Sequence, residues 1–261
     1  MHASSDRSSE QVSQAVLGQV AAILDKSDGW LHIKTPDGYT GWVEVRWTIE
    51  DIRGRSYGSS GIIAKVANLF VDILDWPDPA AEIITKAVIG TELEVADTPD
   101  DWVIVRLPDG KPGAIRRYAV ELTDRAVWPL PLDPTGFEIV MTAKRFIGVP
   151  YLWCGVTAFG LDCSGFVQLV HKLNGVQLPR DAYMQADDDR FGAISGESLM
   201  PGDLVFFGVS NVSQPRREIT HTGIALGNGK FIHSSGGAGV MISELSEPRY
   251  AAIFKKAKRL I

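Results

Sequence analysis

Gly160-Leu161-Asp162-Cys163-Ser164-Gly165-Phe166 opens the most informative stretch of this chain. Behind it Phe166, Val167, Leu169, Val170 and Leu173 recur at helical spacing, and Asn174-Gly175 stops the run. Cys163 therefore stands at or near a helix N-terminus, where unsatisfied N–H groups and the positive dipole end favour thiolate over thiol. Alone, such a cysteine reads as readily as a small buried hydrophobe. Two histidines downstream shift the balance. His221 opens the strand-like run Thr222-Gly-Ile-Ala-Leu-Gly227, His233 follows Lys230-Phe-Ile, and Gly227-Asn-Gly-Lys230 joins the two as a hairpin. Adjacent antiparallel strands can bring both imidazoles together. A thiol, a histidine to hold its proton and a polar group to orient that histidine make a nucleophilic triad.

Upstream, Ile139, Val140, Ala143, Phe146 and Ile147 predict a helix over 136–147 that ends before Gly148-Val149-Pro150. Before it, Trp128-Pro-Leu-Pro-Leu-Asp-Pro134 reads as a stiff, extended linker. The first half carries an internal repeat. Residues 10–41 set against 82–113, an ungapped offset of 72, give 11 identities in 32 positions, among them Trp30/Trp102, Asp37/Asp109, Gly38/Gly110 and Gly41/Gly113. Each copy holds a period-2 strand (30–34 and 102–106), a Pro-Asp-Gly turn and a further strand beginning at Gly41 or Gly113. Two small β-barrels in tandem fit this pattern. The apolar strand Leu69–Leu74 of the second copy has its counterpart at positions -3 to 2, so the first barrel is expected to lack that strand, or to take it from within 51–68. Arg53–Gly61 is a turn-rich loop between the copies.

The repeat, with Asp28-Gly29-Trp30 and Asp37-Gly38-Tyr39-Thr40-Gly41-Trp42-Val43, resembles the bacterial SH3-like domain. The C-terminal half resembles the NlpC-type (NlpC/p60) cysteine peptidases, which have a papain-like core. The resemblance rests on Pro150-Tyr-Leu-Trp153, Gly160–Phe166, Leu178-Pro-Arg-Asp181 with Gln185, Pro201-Gly-Asp-Leu-Val-Phe-Phe207, His221-Thr-Gly-Ile224 and Phe231-Ile-His-Ser-Ser235. It implies a multidomain chain of two all-β barrels and an α+β peptidase domain. The expected bounds are 1–52, 62–125, a Pro-rich linker at 126–135, and 136–261. Carried over, Cys163 is the nucleophile, His221 the general base and acid, and His233 its orienting partner. The Cys163 backbone N–H, helped by Tyr151, forms the oxyanion hole.

The arrangement resembles γ-D-glutamyl-L-diamino acid endopeptidases (dipeptidyl-peptidase VI type), which act on murein stem peptides with a free N-terminal L-Ala. This implies that Asp162 pairs with the substrate ammonium and Ser164 contacts the γ-D-Glu carboxylate. Glu10 and Tyr39 are the barrel's candidates for the amino end; the counterpart of Tyr39 one repeat later is Lys111. A buried carboxylate left unpaired by a capped N-terminus would lose ~1–3 kcal/mol, which favours the free amine. The alternatives are a same-fold acyltransferase or amidase, and a non-catalytic wall-binding protein.

Composition narrows the field. With 26 basic and 32 acidic residues the formal net charge is -6, which speaks against nucleic acid as partner. No apolar run reaches the ~18–20 residues of a membrane span. The two cysteines, Cys154 and Cys163, exclude a disulfide framework. Neither cofactor nor metal is expected. Cys163, His221 and His233 as zinc ligands form a rival without close-spaced ligand pairs, and Asp187-Asp188-Asp189 reads as a solvated loop. Cys154, where many relatives carry Gly, is expected to be a packed thiol, His171 a solvated surface residue and His32 structural. Ala182 stands where some relatives have a hydroxyl. A monomer is expected, cytoplasmic if the N-terminus is native and periplasmic or extracellular if a leader has been removed.

Overall fold

The computed structural model describes residues 1–50, 56–127, 133–209 and 218–261, which divide into units 1–130 and 131–261. Residues 53–55 of the expected loop and 128–132 of the expected linker lie outside the described residues.

Among the described residues, every strand pairing in the first unit is antiparallel. β1 (Ala22–Ser27), β2 (Trp30–Lys34) and β3 (Thr40–Glu44) form a three-stranded sheet. The second copy supplies β4 (Ile62–Val66), β5 (Phe70–Leu74), β6 (Ile83–Val88), β7 (Glu92–Asp97), β8 (Trp102–Arg106), β9 (Pro112–Arg116) and β10 (Val120–Asp124), in the order β10-β4-β7-β8-β9-β5-β6. The offset of 72 holds register for register: Trp30 faces Glu44 as Trp102 faces Arg116, and the irregularity at Ile23/Asp25 recurs at Val95/Asp97.

The register also accounts for the first barrel's gap. In the second copy Leu74 pairs with Ala114 and with Ile83. One repeat earlier His2 bridges Trp42 and Gln11, the same two partnerships. The first barrel thus keeps the last position of that strand. Residues 62–66 do not supply it, because β4 pairs with β7 and β10 of its own copy. The second copy also begins before residue 62. The Tyr57 hydroxyl donates to the Arg106 carbonyl at 2.5 Å, and the Gly58 N–H donates to Glu94 at 3.0 Å. Ile73, Leu93, Val103, Val105 and Ile115 are fully buried in the second core. The counterparts of Val103 and Val105, Leu31 and Ile33, are buried in the first. His32 stacks on Trp42 at 5.0 Å.

The second unit is α+β. Its helices are α1 (Gly136–Lys144), α2 (Cys163–Leu173), α3 (Ala182–Asp187) and the short α4 (Pro248–Ala251). A minimal hairpin, β11 (Val156–Thr157) with β12 (Gly160–Leu161), precedes α2. The main sheet comprises β13 (Phe191–Ile194), β14 (Leu204–Gly208), β15 (Ile219–Gly227), β16 (Lys230–Ser235), β17 (Gly239–Glu244) and β18 (Phe254–Leu260), ordered β13-β18-β14-β15-β16-β17. A capping box between Thr135 and Glu138 starts α1, which ends at Lys144, a turn earlier than the periodicity suggests; Ile147 is exposed.

α2 packs on β15, β16 and the β11 hairpin, and is buried without a break from Cys163 to His171. His171 is therefore not a surface residue: it is 2% exposed, and its Nδ1 lies 2.8 Å from the Val167 carbonyl. Distance from Cys163 along the helix carried no information about a helix that has no solvated face there.

The start of α2 seats against the preceding loop through glycine. A Cβ on Gly165 would lie 2.1 Å from the Gly155 carbonyl oxygen, so the two backbones touch directly. Gly165→Ala is expected to lower stability by about 1–3 kcal/mol in urea unfolding. Gly236→Ala, with nothing within 4 Å of its Cβ position, should stay within about 0.5 kcal/mol of wild type. Equal effects would contradict the packing account.

Candidate active site

Asp162 is the N-cap of α2, its Oδ1 accepting from the Gly165 N–H at 2.7 Å, and this fixes Cys163 as the first helical residue. The thiol is buried, and the backbone N–H groups of Ser164 and Thr222 lie near enough to favour its anion. Thr222 follows His221 on β15, so the strand that approaches the sulfur also carries the imidazole. β15 and β16 pair through Ile224 and Ile232. One step further along that register Gly223 lies across from His233, and a Cβ on Gly223 would come within 3.1 Å of the His233 Cβ. Glycine here lets the rings meet diagonally. His221 Nε2 and His233 Nδ1 share a hydrogen bond at 2.8 Å, with the rings at 89°.

His233 is fully buried, stacked on Phe231 at 4.7 Å. Its Nε2 lies 3.2 Å from both Ser243 Oγ and Tyr250 Oη. With Nε2 of His221 committed to His233, Nδ1 is the remaining nitrogen of that ring. The geometry also disposes of the zinc rival. Two imidazole nitrogens facing one another at hydrogen-bond distance leave no place for a shared ion.

Asp162 is not an unpaired carboxylate. Arg180 Nη2 donates to its Oδ2 at 2.5 Å and Nη1 to its Oδ1 at 3.0 Å, both side chains being buried. Arg180 Nη1 also donates to Ser164 Oγ at 2.9 Å, and the Ser164 hydroxyl approaches Asp162 Oδ1 at 3.3 Å. Capping of the substrate would therefore not strand this charge, and the desolvation argument from sequence falls. Arg180 belongs to the Leu178–Asp181 motif, but nothing in the sequence pairs it with Asp162 across 18 positions. Gln185, from the same motif, donates to the Ser164 and Pro179 carbonyls at 3.0 and 2.9 Å.

Electrostatics reverse the thiolate expectation. Burial, then the negative charge of Asp162, pushes the Cys163 thiol up to about 12; the Thr222 and Ser164 N–H groups and Arg180 offset only part of this. Burial pushes His221 down to about 4. It pushes His233 down to about 3, with His221 and Arg249 adding to the effect. These shifts favour the neutral thiol and the neutral imidazoles. Tyr151 is half-buried, its phenol raised to about 12 by burial and by Cys163 and Asp162.

Among the remaining sequence candidates, Cys154 adopts φ 59°, the left-handed region where glycine is at ease, and is partly exposed. Ala182 is buried at the start of α3. Asp187 closes α3, while Asp188 pairs with Arg190 at 2.6 Å. Glu10 and Tyr39 lie in the first unit: Glu10 is exposed, and Tyr39 is half-buried in the β2–β3 turn. The second unit by itself brings together Tyr151, Asp162, Cys163, Ser164, His221 and His233.

Residues 148–259 match the NlpC/P60 family, and residues 1–46 match the bacterial dipeptidyl-peptidase SH3 domain. The C-terminal unit is an NlpC/P60 cysteine peptidase domain. The chain is 27% identical over 261 residues to the gamma-D-glutamyl-L-lysine dipeptidyl-peptidase of Bacillus cereus, covering 95% of this chain and 75% of that protein. The murein DD-endopeptidase MepS/murein LD-carboxypeptidase of Escherichia coli is 36% identical over 115 residues, 44% of this chain and 57% of that protein. The crystal structure of an NlpC/P60 family protein from Bacillus cereus superposes with a TM-score of 0.83 at 25% identity, covering 95% of this chain and 81% of that one.

The NlpC/P60 domain holds three histidines whose folded pKa lies below the free value, His171 at about 4 among them. A base that resists protonation when folded stabilises the fold fully above about pH 6.5, its unfolded value. That contribution is lost as pH falls from there toward the folded value. Urea unfolding of the full chain should show a decline across this window to which His171 contributes up to about 3 kcal/mol. His171→Leu should make the decline shallower by that share while His221 and His233 keep the rest, and a wild-type curve flat over that window would refute the buried neutral imidazoles.

Proposed function

We propose that this chain hydrolyses the γ-D-Glu–diamino acid bond of murein stem peptides bearing a free N-terminal L-Ala. The hydrogen-bonded His221–His233 pair beside the buried Cys163 thiol carries the reading of a thiol hydrolase. The substrate class is supported by likeness of extent. The match to a dipeptidyl-peptidase spans nearly the whole chain, whereas the match to the MepS enzyme is confined to the peptidase domain.

Cys163 is the nucleophile. Since thiol and imidazole both rest neutral, Sγ attacks the amide carbonyl as its proton passes to His221 Nδ1. His233 holds the ring at Nε2 and stabilises the imidazolium that forms. The negative charge on the carbonyl oxygen is met by the Cys163 backbone N–H at the helix start and by Tyr151. The protonated His221 gives its proton to the leaving amine, and water, activated by the same imidazole, then opens the thioester. Asp162 remains the proposed partner of the substrate ammonium, acting as one member of a carboxylate–guanidinium pair. Ser164, held by Arg180, is proposed for the γ-D-Glu carboxylate.

Incubation of L-Ala-γ-D-Glu-meso-diaminopimelate and its N-acetylated twin with wild type and Cys163→Ala, read by mass spectrometry, tests this. L-Ala-γ-D-Glu should appear from the free-amine peptide alone, and not with Cys163→Ala. Equal cleavage of both peptides would refute the amine requirement. Transfer to an added amine in preference to water would point to an acyltransferase, and no turnover of either peptide would overturn the proposal.

A further inference from the structure

The peptide unit between Leu161 and Asp162, immediately before the first turn of α2, is held at both poles. Its N–H, on Asp162, donates to the Gly155 carbonyl at 3.1 Å. Its carbonyl, on Leu161, accepts from the Ser234 hydroxyl at 2.6 Å, from 73 positions away in the sequence. A peptide unit is planar and stiff, so bonds at opposite poles fix its orientation. The next rotation along the chain, φ of Asp162 at -84°, leads into the cap that makes Cys163 the first helical residue. Where the sulfur sits therefore follows from where this peptide is held.

Ser234 follows His233 on β16, and successive residues of a strand point to opposite faces. His233 stacks on Phe231 and meets the edge of Tyr250, whereas Ser234 reaches Leu161. Both are fully buried, and the β17 ladder fixes both, with His233 opposite Met241 and Ser234 opposite Val240. Two consecutive residues of one paired strand thus grip the imidazole pair on one side and the loop that leads to Cys163 on the other. The Leu161 carbonyl also accepts from the Leu152 N–H, but at 3.3 Å. Without the Ser234 hydroxyl, this longer bond would be left to hold a residue that is itself fully buried.

We propose that Ser234 is a positioning residue: through its bond to the Leu161 carbonyl it sets the placement of Cys163 relative to the His221–His233 pair. Ser234 acts only through Cys163 as nucleophile and His221 as base, so the proposal rests on that reading, but one of its two readouts needs no turnover.

Ring 15N shifts of His221 in the full chain, recorded with and without Cys163→Ala, report the thiol–imidazole contact in the absence of substrate. Removal of the thiol should move these shifts in the otherwise wild-type chain and leave them nearly unmoved when Ser234 is replaced by alanine. On the tripeptide, Ser234→Ala should lower kcat roughly tenfold with KM within about twofold, inside the ~10²-fold that a 1 Å misplacement costs. Ser234→Thr, which keeps the hydroxyl, should restore both readouts. Ser234→Cys, close to serine in volume but a weak donor, should fall with alanine, and it carries both readouts if the alanine variant does not fold. Wild-type kcat in Ser234→Ala, a loss confined to KM, or His221 shifts that answer to Cys163→Ala as fully as before would each overturn the proposal. So would His221 shifts indifferent to Cys163→Ala in the wild-type background. Absence of wild-type turnover would sink the hydrolase reading, while the shifts would still decide the role of Ser234.

Discussion

The carboxylate of Asp162 is the point from which the NlpC/P60 domain of this chain is organised. It caps α2, pairs with Arg180 and lies beside Ser164, so one buried anion ties the helix that begins at Cys163 to the segment that follows it. Removing one partner of such a pair typically destabilises by about 3–5 kcal/mol, because the other charge is left buried and alone. The same anion, next in sequence to Cys163, opposes ionisation of the thiol. Structure and reactivity are coupled through it, and a substitution at Asp162 disturbs both.

This coupling gives the site its chemical character. A helix N-terminus and two backbone N–H groups would ordinarily favour a thiolate. Here burial and the neighbouring carboxylate outweigh them, and burial equally keeps both histidines neutral. In the proposed reaction, proton transfer and attack then belong to one step, in which His221 takes the thiol proton.

Much of this was legible in the sequence, for physical reasons. The repeat encodes register as well as strands, so that even His2 keeps the pairing its counterpart Leu74 makes. The hairpin at Gly227–Lys230 and the alternation around it place His221 and His233 on neighbouring strands. What escaped depended on packing. His171 looked solvated because spacing along a helix does not reveal a helix covered all round. Asp162 looked like a free anchor because its partner Arg180 comes from beyond the helix. The thiolate expectation counted the helix dipole and missed desolvation. Ser243 and Tyr250 lie in no motif, and only the sheet and α4 bring them to the same nitrogen.

The account turns on Cys163 resting as a neutral thiol. The pH dependence of thiolate absorbance, taken as the difference between wild type and Cys163→Ser so that Cys154 cancels, measures this without substrate. No Cys163 thiolate should appear between about pH 5 and 9, with ionisation delayed far above the ordinary thiol range of ~8.5. A titration centred near or below ~7 would show a preformed thiolate–imidazolium pair and contradict the account.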